Sequence, residues 1–261
     1  MSHQPSYHVK VIVCGLTYIG PTRDENQDAI MAGDFMASGE LSRLNLQWSA
    51  LPPSGLRVAV VDGMGGYAGG REAATIAAIE LTNLPGMLDE SALNSWFGEL
   101  SDRISHAGQT WGTPELGATL AVLELTHQGV RVANIGDCRV YRQYRNGRLA
   151  QLSRDDRTSN SASSAVTQSL GGYADLRPLN FDAHLWQGLY AGGAERYLIC
   201  SDGVWDELPP GLLDHLSTIP GPLEAVNQVK NAVDAHQGRD NASIIIIDLV
   251  ATAVGPPGRE G

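Results

Sequence analysis

Five aspartates stand at the edges of apolar runs or in tight turns of the sequence. They are Asp28, Asp62, Asp137, Asp202 and Asp240. One aspartate beside Gly or Asn usually shapes a turn through bonds from its side chain to the backbone, and that role is favoured for any one of them taken alone. Five in this setting form a more specific pattern, because the strand ends of a sheet sandwich can converge on one edge.

Such a group of carboxylates is a candidate binding site for divalent cations. Converging carboxylates repel one another unless cations neutralise them. Oxygen ligands favour Mg²⁺ or Mn²⁺ over zinc. Two such ions can share a water and activate it as hydroxide for in-line attack on phosphorus. The aspartates therefore suggest metal-assisted phosphoryl chemistry.

The glycine-rich stretch VVDGMGGYAGG at 60–70 supports a second hypothesis. Residues 63–68 satisfy the G-x-G-x-x-G/A pattern of dinucleotide-binding dehydrogenases. Asp62 would then place a negative charge where pyrophosphate lies, and the strands that follow are not arranged as βαβ units. A plain strand-to-helix turn would explain the glycines but not Asp62. The dehydrogenase stays a remote alternative.

The elements that must position the aspartates fall into separate blocks of strand and helix. Strands are predicted at 10–20, 56–61, 119–125, 130–135, 138–144, 148–152, 196–200 and 242–250, and helices at 71–84, after Asp89, at 208–217 and at 222–236. Short gaps join the four middle strands, which predicts an antiparallel meander there. The last gap contains Asn146-Gly147, a strong hairpin signal. Separate blocks indicate an α+β fold. We expect one domain over 7–252, with flexible termini at 1–6 and 253–261.

Two helices show the faces expected to pack on the sheets. In the first, Ile76 and Ile79 lie on one side, with alanines between them. In the second, an apolar stripe recurs at helical spacing, and Asp89 is a suitable N-cap. The members of that stripe are Leu93, Trp96, Phe97, Leu100 and Ile104.

Composition excludes several classes of partner. The 261 residues include 18 Lys and Arg against 29 Asp and Glu, a net charge of −11, which argues against nucleic acid or an anionic membrane. Three distant cysteines form neither a disulfide framework nor a zinc site, so a cytoplasmic location is expected. No apolar run approaches the about 18–20 residues of a membrane span, and no signal peptide opens the chain.

Eight motifs resemble, in family order, those of the metal-dependent Ser/Thr protein phosphatases of the type 2C-like (PPM) family. They are RDENQDA, VVDGMGG, ELGATL, ANIGDCRVYR, LSRDD, QSLGG, ICSDGVWDEL and DNASIIII, which together span Arg23 to Asp248. The resemblance implies a four-layer α/β/β/α sandwich, with two antiparallel β-sheets between helix pairs. Gly-rich composition and compact length resemble bacterial single-domain members.

The resemblance also implies a role for each motif residue. Asp62 resembles the carboxylate that bridges two metal ions, and the Gly63 carbonyl resembles a ligand of one of them. Asp202 and Asp240 resemble ligands of the other ion, and Asp28 would act through metal-bound water. Asp137 with Asp202 resembles a third, weaker metal site. Arg23 resembles the guanidinium that binds the substrate phosphate, although an ion pair with neighbouring Asp24 or Glu25 is equally compatible with its spacing.

The chain departs from the family pattern at three places. Gln27 stands where many relatives carry Glu, and Met64 stands where some relatives carry a His offered as general acid. Met cannot donate a proton. The flap at 157–167 is short, which predicts an open site. Trp205, beside SDG, is interpreted as a packing residue that opens a helix.

The resulting hypothesis is a Mn²⁺- or Mg²⁺-dependent phosphatase acting on phosphoserine and phosphothreonine in proteins, with a metal-bridging hydroxide as nucleophile. A cognate Ser/Thr kinase and its substrates are the implied partners, and a monomer is expected. The main alternative is a phosphatase-like binding module without turnover, which the short flap and Gln27 keep open.

Overall fold

The computed structural model describes residues 7–64, 69–84, 86–158, 165–172, 177–186, 189 and 193–253. The predicted flexible termini, apart from residue 253, lie outside these ranges, as do residues 159–164 of the predicted flap. Within the described residues, no helix is long and apolar enough to span a membrane.

Thirteen strands and five helices form within the described part of the chain. The strands are β1 (Tyr7–Tyr18), β2 (Asp28–Ala32), β3 (Phe35–Ser38), β4 (Leu41–Trp48), β5 (Leu56–Met64), β6 (Gly117–Leu125), β7 (Gly129–Ile135), β8 (Arg139–Gln143), β9 (Leu149–Gln151), β10 (Leu170–Gly171), β11 (Asn180–Leu185), β12 (Ala194–Cys200) and β13 (Ala242–Ala253). The helices are α1 (Gly70–Asn83), α2 (Glu90–Trp111), α3 (Asp202–Trp205), α4 (Leu212–Ser217) and α5 (Pro222–Ala235).

The strands form two antiparallel sheets. The first sheet has the order β4-β1-β13-β12-β8-β9, and the second has the order β11-β7-β6-β5-β2-β3, with β10 paired to β6. Long β1 and β13 pair over their whole length, from Tyr7 opposite Ala253 to Tyr18 opposite Ala242. The first and last strands of the described chain are therefore neighbours in the middle of the same sheet.

Three apolar cores separate four layers. Val60, Ile199 and Ile245 belong to the core between the two sheets. A second core lies between the second sheet and helices α1 and α2. A third lies between the first sheet and helices α3 to α5. This arrangement confirms the predicted α/β/β/α sandwich of two sheets between helix groups.

The predicted meander over 119–152 is only partly correct. β6 pairs with β7 and β8 pairs with β9, and the predicted Asn-Gly turn joins the second pair. β7 and β8 do not pair, because the chain crosses from the second sheet to the first at Gly136 and Asp137. Gly136 has φ +91°, a left-handed conformation that favours glycine at this crossing.

The helices correct two expectations about sequence patterns. In α1 the alanines face the sheet, including Ala73, Ala74 and Ala77, whereas Ile79 is exposed. The predicted helix at 208–217 is shorter than expected, since α4 begins only at Leu212, after the Pro209-Pro210 pair. In α2 the predicted stripe is buried apart from partly buried Trp96, and the Asp89 side chain accepts a bond from Ala92 N at 2.8 Å.

Candidate metal and phosphate-binding site

Two of the predicted ligands are direct neighbours across the second sheet. Asp28, the first residue of β2, lies opposite Asp62 of β5 in the antiparallel register. Side chains opposite each other on one face of a sheet are about 5 Å apart at Cβ. The pairing of β2 with β5 therefore places both carboxylates at one end of the sheet.

The first sheet delivers two more aspartates to the same place. Asp202 follows β12 directly and opens α3, and Asp240 lies two residues before β13. Because β12 and β13 are antiparallel neighbours, the end of one and the start of the other share an edge. Asp137 comes from the crossing between the sheets, so the five predicted aspartates converge from both layers.

A cavity of about 590 Å³ lies at this convergence. Its walls include Arg23, Asp62, Gly63, Met64, Asp137, Asp202 and Asp240. Asp28 is buried at 1% exposure and is not among the residues that line the cavity. A larger cavity of about 1040 Å³ along α2 contains none of the predicted ligands. We call the smaller cavity the aspartate cleft.

Asp28 is held by buried hydroxyl groups. Its Oδ2 accepts a hydrogen bond from Ser201 Oγ at 2.9 Å and one from Ser243 Oγ at 2.7 Å. The Thr17 and Ser243 hydroxyl oxygens are 2.8 Å apart, and Asn26 Nδ2 donates to Thr17 Oγ1 at 2.9 Å. This network, the serine cradle, fixes one carboxylate oxygen and leaves Oδ1 with no hydrogen-bond partner.

The carboxylates of the cleft disfavour one another's charged forms. Burial raises the pKa of Asp62 well above its ordinary value, and the charges of Asp28, Asp202 and Asp137 raise it further. The pKa of Asp202 is raised to about 7 by burial and by Asp137 and Asp240. Nearby cations would stabilise the charged carboxylates. The electrostatics therefore favour cation binding.

The pKa values of Asp28 and Asp137 are raised in the same direction. Burial raises the pKa of Asp28 to about 6, while the hydroxyls of Ser243 and Ser201 oppose that rise. Burial also raises the pKa of Asp137 to about 6, and the guanidinium of Arg157 opposes it. Local donors thus compensate only part of the burial of these two charges.

The donor set fits hard divalent ions. All the predicted side-chain ligands offer carboxylate oxygen, and Asp28 Oδ1 is buried without a hydrogen-bond partner, whereas Asp137 Oδ2 faces the Arg157 guanidinium. As they stand, the described residues contain no group of three or more His, Cys, Asp or Glu side chains that could hold one ion. Ions such as Mg²⁺ use one or two protein carboxylates and keep several waters, so the fit rests on shared oxygen ligands rather than on a closed cage.

Gly63 is required by close backbone packing rather than by a turn. It lies inside β5, opposite Ala118, and not in the sharp turn that the sequence suggested. A Cβ atom there would lie 1.9 Å from Gly70 O and 2.6 Å from Gln27 O. The start of α1 therefore packs directly on the strand that carries Asp62. Residues 65–68, the rest of the glycine stretch, lie outside the described ranges.

Arg23 stands at the rim of the aspartate cleft. Its side chain is 53% exposed and pairs with Asp240, with Nη2 to Oδ2 at 2.7 Å. Its Nε donates to the Arg239 carbonyl at 3.1 Å. The ion pair thus joins a predicted metal ligand, not the neighbouring Asp24 or Glu25 that the sequence left open. An exposed guanidinium beside the cleft is available to a phosphate.

Two residues that sequence reasoning did not select also organise the cleft. Asn241 donates from Nδ2 to the carbonyls of Ile19 and Glu25, both at 2.8 Å, and its Oδ1 accepts from Gln27 N at 2.9 Å. It thereby holds the loop that carries Arg23. Its position beside Asp240 in the DNAS motif was the available signal. Arg157 pairs with Asp137, and its place in a polar loop gave no signal.

Trp205 ends α3 instead of opening a helix. Its Nε1 donates to the Asp137 carbonyl at 3.1 Å, so it supports the crossing between the sheets. The guanidinium of Arg139 lies 3.2 Å from the ring centroid and that of Arg157 lies 5.0 Å from it. Trp205 therefore packs, as interpreted from sequence, but it packs against the residues of the cleft.

The fold is similar to those of several solved bacterial proteins. The fold matches the structure of PppA, described as a key regulatory component of T6SS in Pseudomonas aeruginosa, with a TM-score of 0.74 and 21% identity over 95% of this chain and 99% of that chain. It matches the Mycobacterium tuberculosis phosphatase PstP/Ppp with a TM-score of 0.73 and 21% identity over 92% and 98%. These matches confirm the predicted fold.

A third solved structure and one relative identified by sequence are also similar to this chain. The catalytic domain of PstP in complex with two manganese ions matches with a TM-score of 0.71 and 21% identity over 93% of this chain and 99% of that one. In sequence, 218 residues are 24% identical to the Ser/Thr protein phosphatase PstP of M. tuberculosis, covering 74% of this chain. The chain spans about 40% of the length of that relative. No family model matches the sequence.

Proposed function

We propose that the chain is a metal-dependent protein phosphatase that hydrolyses phosphoserine and phosphothreonine with Mn²⁺ or Mg²⁺. The observation that carries the proposal is the convergence of four of the five aspartates from two sheets on one cleft, with Asp28 opposite Asp62 in the sheet and Arg23 at the rim of the cleft. The similarity to PstP and to its manganese-bound catalytic domain supports the choice of reaction and of ion.

Each residue has a proposed part in holding two ions. Asp62 would bind both ions, and the Gly63 carbonyl would bind one of them. Asp202 and Asp240 would bind the other ion, and Asp28 would act on the pair through water. When bound, such ions activate water for in-line attack on phosphorus and neutralise charge on the phosphoryl oxygens.

Arg23 has the geometry to orient the substrate. Its planar guanidinium can donate to two phosphate oxygens at once. Without substrate it donates to Asp240 and to the Arg239 carbonyl, so substrate binding would exchange the first of these bonds for phosphate. If Asp240 held an ion, its carboxylate would be less available to the guanidinium, which would free Arg23 for the phosphate.

Met64 lines the cleft and supplies no proton. Among the described residues that line the cleft there is no histidine. Protonation of the departing serine or threonine oxygen would therefore depend on solvent that the cleft admits. This proposal predicts that the pH dependence of turnover contains no contribution from a protein imidazole.

The substrates and setting follow from the proposed reaction. Phosphorylated proteins would be the substrates, and a Ser/Thr kinase with its targets would be the partner system. We further propose a cytoplasmic monomer with one catalytic domain over 7–252. The net charge of −11 supports a protein rather than nucleic acid as the partner.

The decisive experiment is hydrolysis of a phosphothreonine peptide with and without Mn²⁺. We expect phosphate release by the wild type only with the ion, and loss of at least about 100-fold in Asp202→Ala, because removing a ligand of an activating ion removes its Lewis-acid contribution. Asp102→Ala is the matched control, since Asp102 is an exposed aspartate of α2 remote from the proposed ligands. It should retain wild-type release.

Each contrary outcome has a distinct meaning. Absence of release by the wild type, with Mn²⁺ binding intact, favours the binding module without turnover. Full release by Asp202→Ala would contradict the proposed ligand set. Equal loss in Asp102→Ala would show that the assay reports folding, so the far-ultraviolet circular dichroism of all three proteins is compared.

A further inference from the structure

We propose that Arg157 serves as a built-in cation at Asp137, occupying with its guanidinium the position where a third divalent ion would otherwise bind. The inference rests on the proposed function, because it concerns the metal content of the same cleft. It predicts that this chain binds two ions and that the Arg157 side chain occupies the third cation position, at Asp137.

The contact geometry places the guanidinium on the buried carboxylate. Arg157 Nε lies 3.2 Å from Asp137 Oδ2, and the two side chains are 17% and 2% exposed. Nη1 of the same guanidinium lies 3.4 Å from Asp206 Oδ2 at the end of α3. One cation thus bridges the crossing between the sheets and the helix that starts at Asp202.

Trp205 supports Arg157 in this position. The guanidinium carbon lies 5.0 Å from the centroid of the Trp205 ring, within the range of a cation–π contact. The same ring donates from Nε1 to the Asp137 carbonyl. Trp205 therefore contacts both the guanidinium of Arg157 and the backbone of Asp137, the residue that carries the paired carboxylate.

The backbone of Arg157 is also anchored beside the cleft. Arg157 forms an antiparallel bridge with Val166, a residue that lines the aspartate cleft. The flanking bonds from Thr158 N to Ala165 O and from Thr167 N to Asp156 O, at 3.0 and 2.7 Å, complete this short ladder. The side chain therefore starts from a backbone position fixed next to Asp137.

A divalent ion at Asp137 would have to displace this guanidinium. Arginine stays charged at every relevant pH, so Asp137 is never without a partner cation while the pair is intact. The guanidinium is weakly hydrated and forms planar, directional bonds, which suits it to a buried carboxylate. Removing its charge leaves the Asp137 carboxylate buried and unpaired beside Asp202. A divalent ion would then stabilise this carboxylate in place of the guanidinium.

The test is a count of bound Mn²⁺ per chain by equilibrium dialysis followed by metal analysis. We expect two ions in the wild type and three in Arg157→Gln, which shortens the side chain only modestly and removes the charge. Arg157→Lys should restore two, because it restores a cation. Arg154→Gln is the matched control, since it removes the same charge from an exposed arginine three residues earlier and should leave two.

A second variant keeps the inference testable if Arg157→Gln does not fold. Asp137→Asn should retain two ions, because in the wild type this carboxylate faces Arg157 rather than a metal. A wild type that binds three ions, of which Asp137→Asn loses one, would overturn the inference. Two ions in well-folded Arg157→Gln would overturn it as well. A wild type that binds no Mn²⁺ would instead refute the proposed function.

Discussion

Replacing Ser243 by alanine tests whether the serine cradle prepares Asp28 for metal binding. The substitution removes the 2.7 Å bond to Asp28 Oδ2 and leaves the 2.9 Å bond from Ser201. A hydrogen bond to a charged group contributes about 1.5–3 kcal/mol. Since about 1.4 kcal/mol is a factor of ten, the dissociation constant for Mn²⁺ should rise about 10- to 100-fold.

The physical reason lies in the charge state of Asp28. The Ser243 hydroxyl holds the pKa of this carboxyl below the value that burial alone would set. Its removal raises the pKa, so a proton competes more strongly with the cation at neutral pH. Isothermal titration with Mn²⁺ at pH 7 measures the change directly, without reference to turnover.

Ser217→Ala is the control for a lost buried hydroxyl. Ser217 is also fully buried, and its Oγ accepts from Gln143 at 2.7 Å and donates to the Asp214 carbonyl at 2.7 Å, in contacts with β8 and α4. Both variants should lose stability, but only Ser243→Ala should lose affinity for Mn²⁺. Wild-type affinity in folded Ser243→Ala would refute the reasoning.

The remaining predictions concern the packing of two glycines and the burial of the three cysteines. Gly63→Ala should lower the free energy of unfolding by about 3 kcal/mol or more, because its Cβ would lie 1.9 Å from Gly70 O, while Gly98→Ala in α2, with nothing within 4 Å, should raise it by about 0.5–1 kcal/mol. Chemical denaturation measures both, and equal effects would contradict the packing argument. Burial raises the pKa of the Cys14 thiol to about 11, and all three cysteines are buried, so none should react with a disulfide reagent at pH 8 until the protein is denatured. Rapid labelling of the native protein would contradict this.

Most residues of the candidate site could be selected from the sequence, because strand ends can be recognised without knowing the sheets. Apolar runs before Asp62 and Asp202 and after Asp240 marked these residues, and the structure brings them to one cleft. The register that sets Asp28 opposite Asp62 could not be predicted, since β2 is five residues long and was not recognised as a strand. Register depends on partners distant in sequence.

Other failures came from weak or misleading local signals. Alanines carry little apolar signal, so Ile79, which is exposed, was grouped with Ile76, which packs against the second core. The small alanines are what allow this helix to approach the sheet closely. Nothing in a polar loop distinguishes Arg157 from an exposed arginine. Its role depends on the crossing between the sheets at Asp137, which the predicted meander did not include.

The proposed ligands come from two separate sheets, which would link metal binding to the stability of the sandwich. Asp28 and Asp62 belong to one sheet, whereas Asp202 and Asp240 lie beside the ends of strands β12 and β13 in the other. An ion bound by carboxylates from both sheets would hold the two sheets together. It would add about 2.7 kcal/mol to the free energy of unfolding at a concentration about 100 times its dissociation constant. Substitutions deep between the sheets, far from any substrate, should consequently appear first as weakened ion retention.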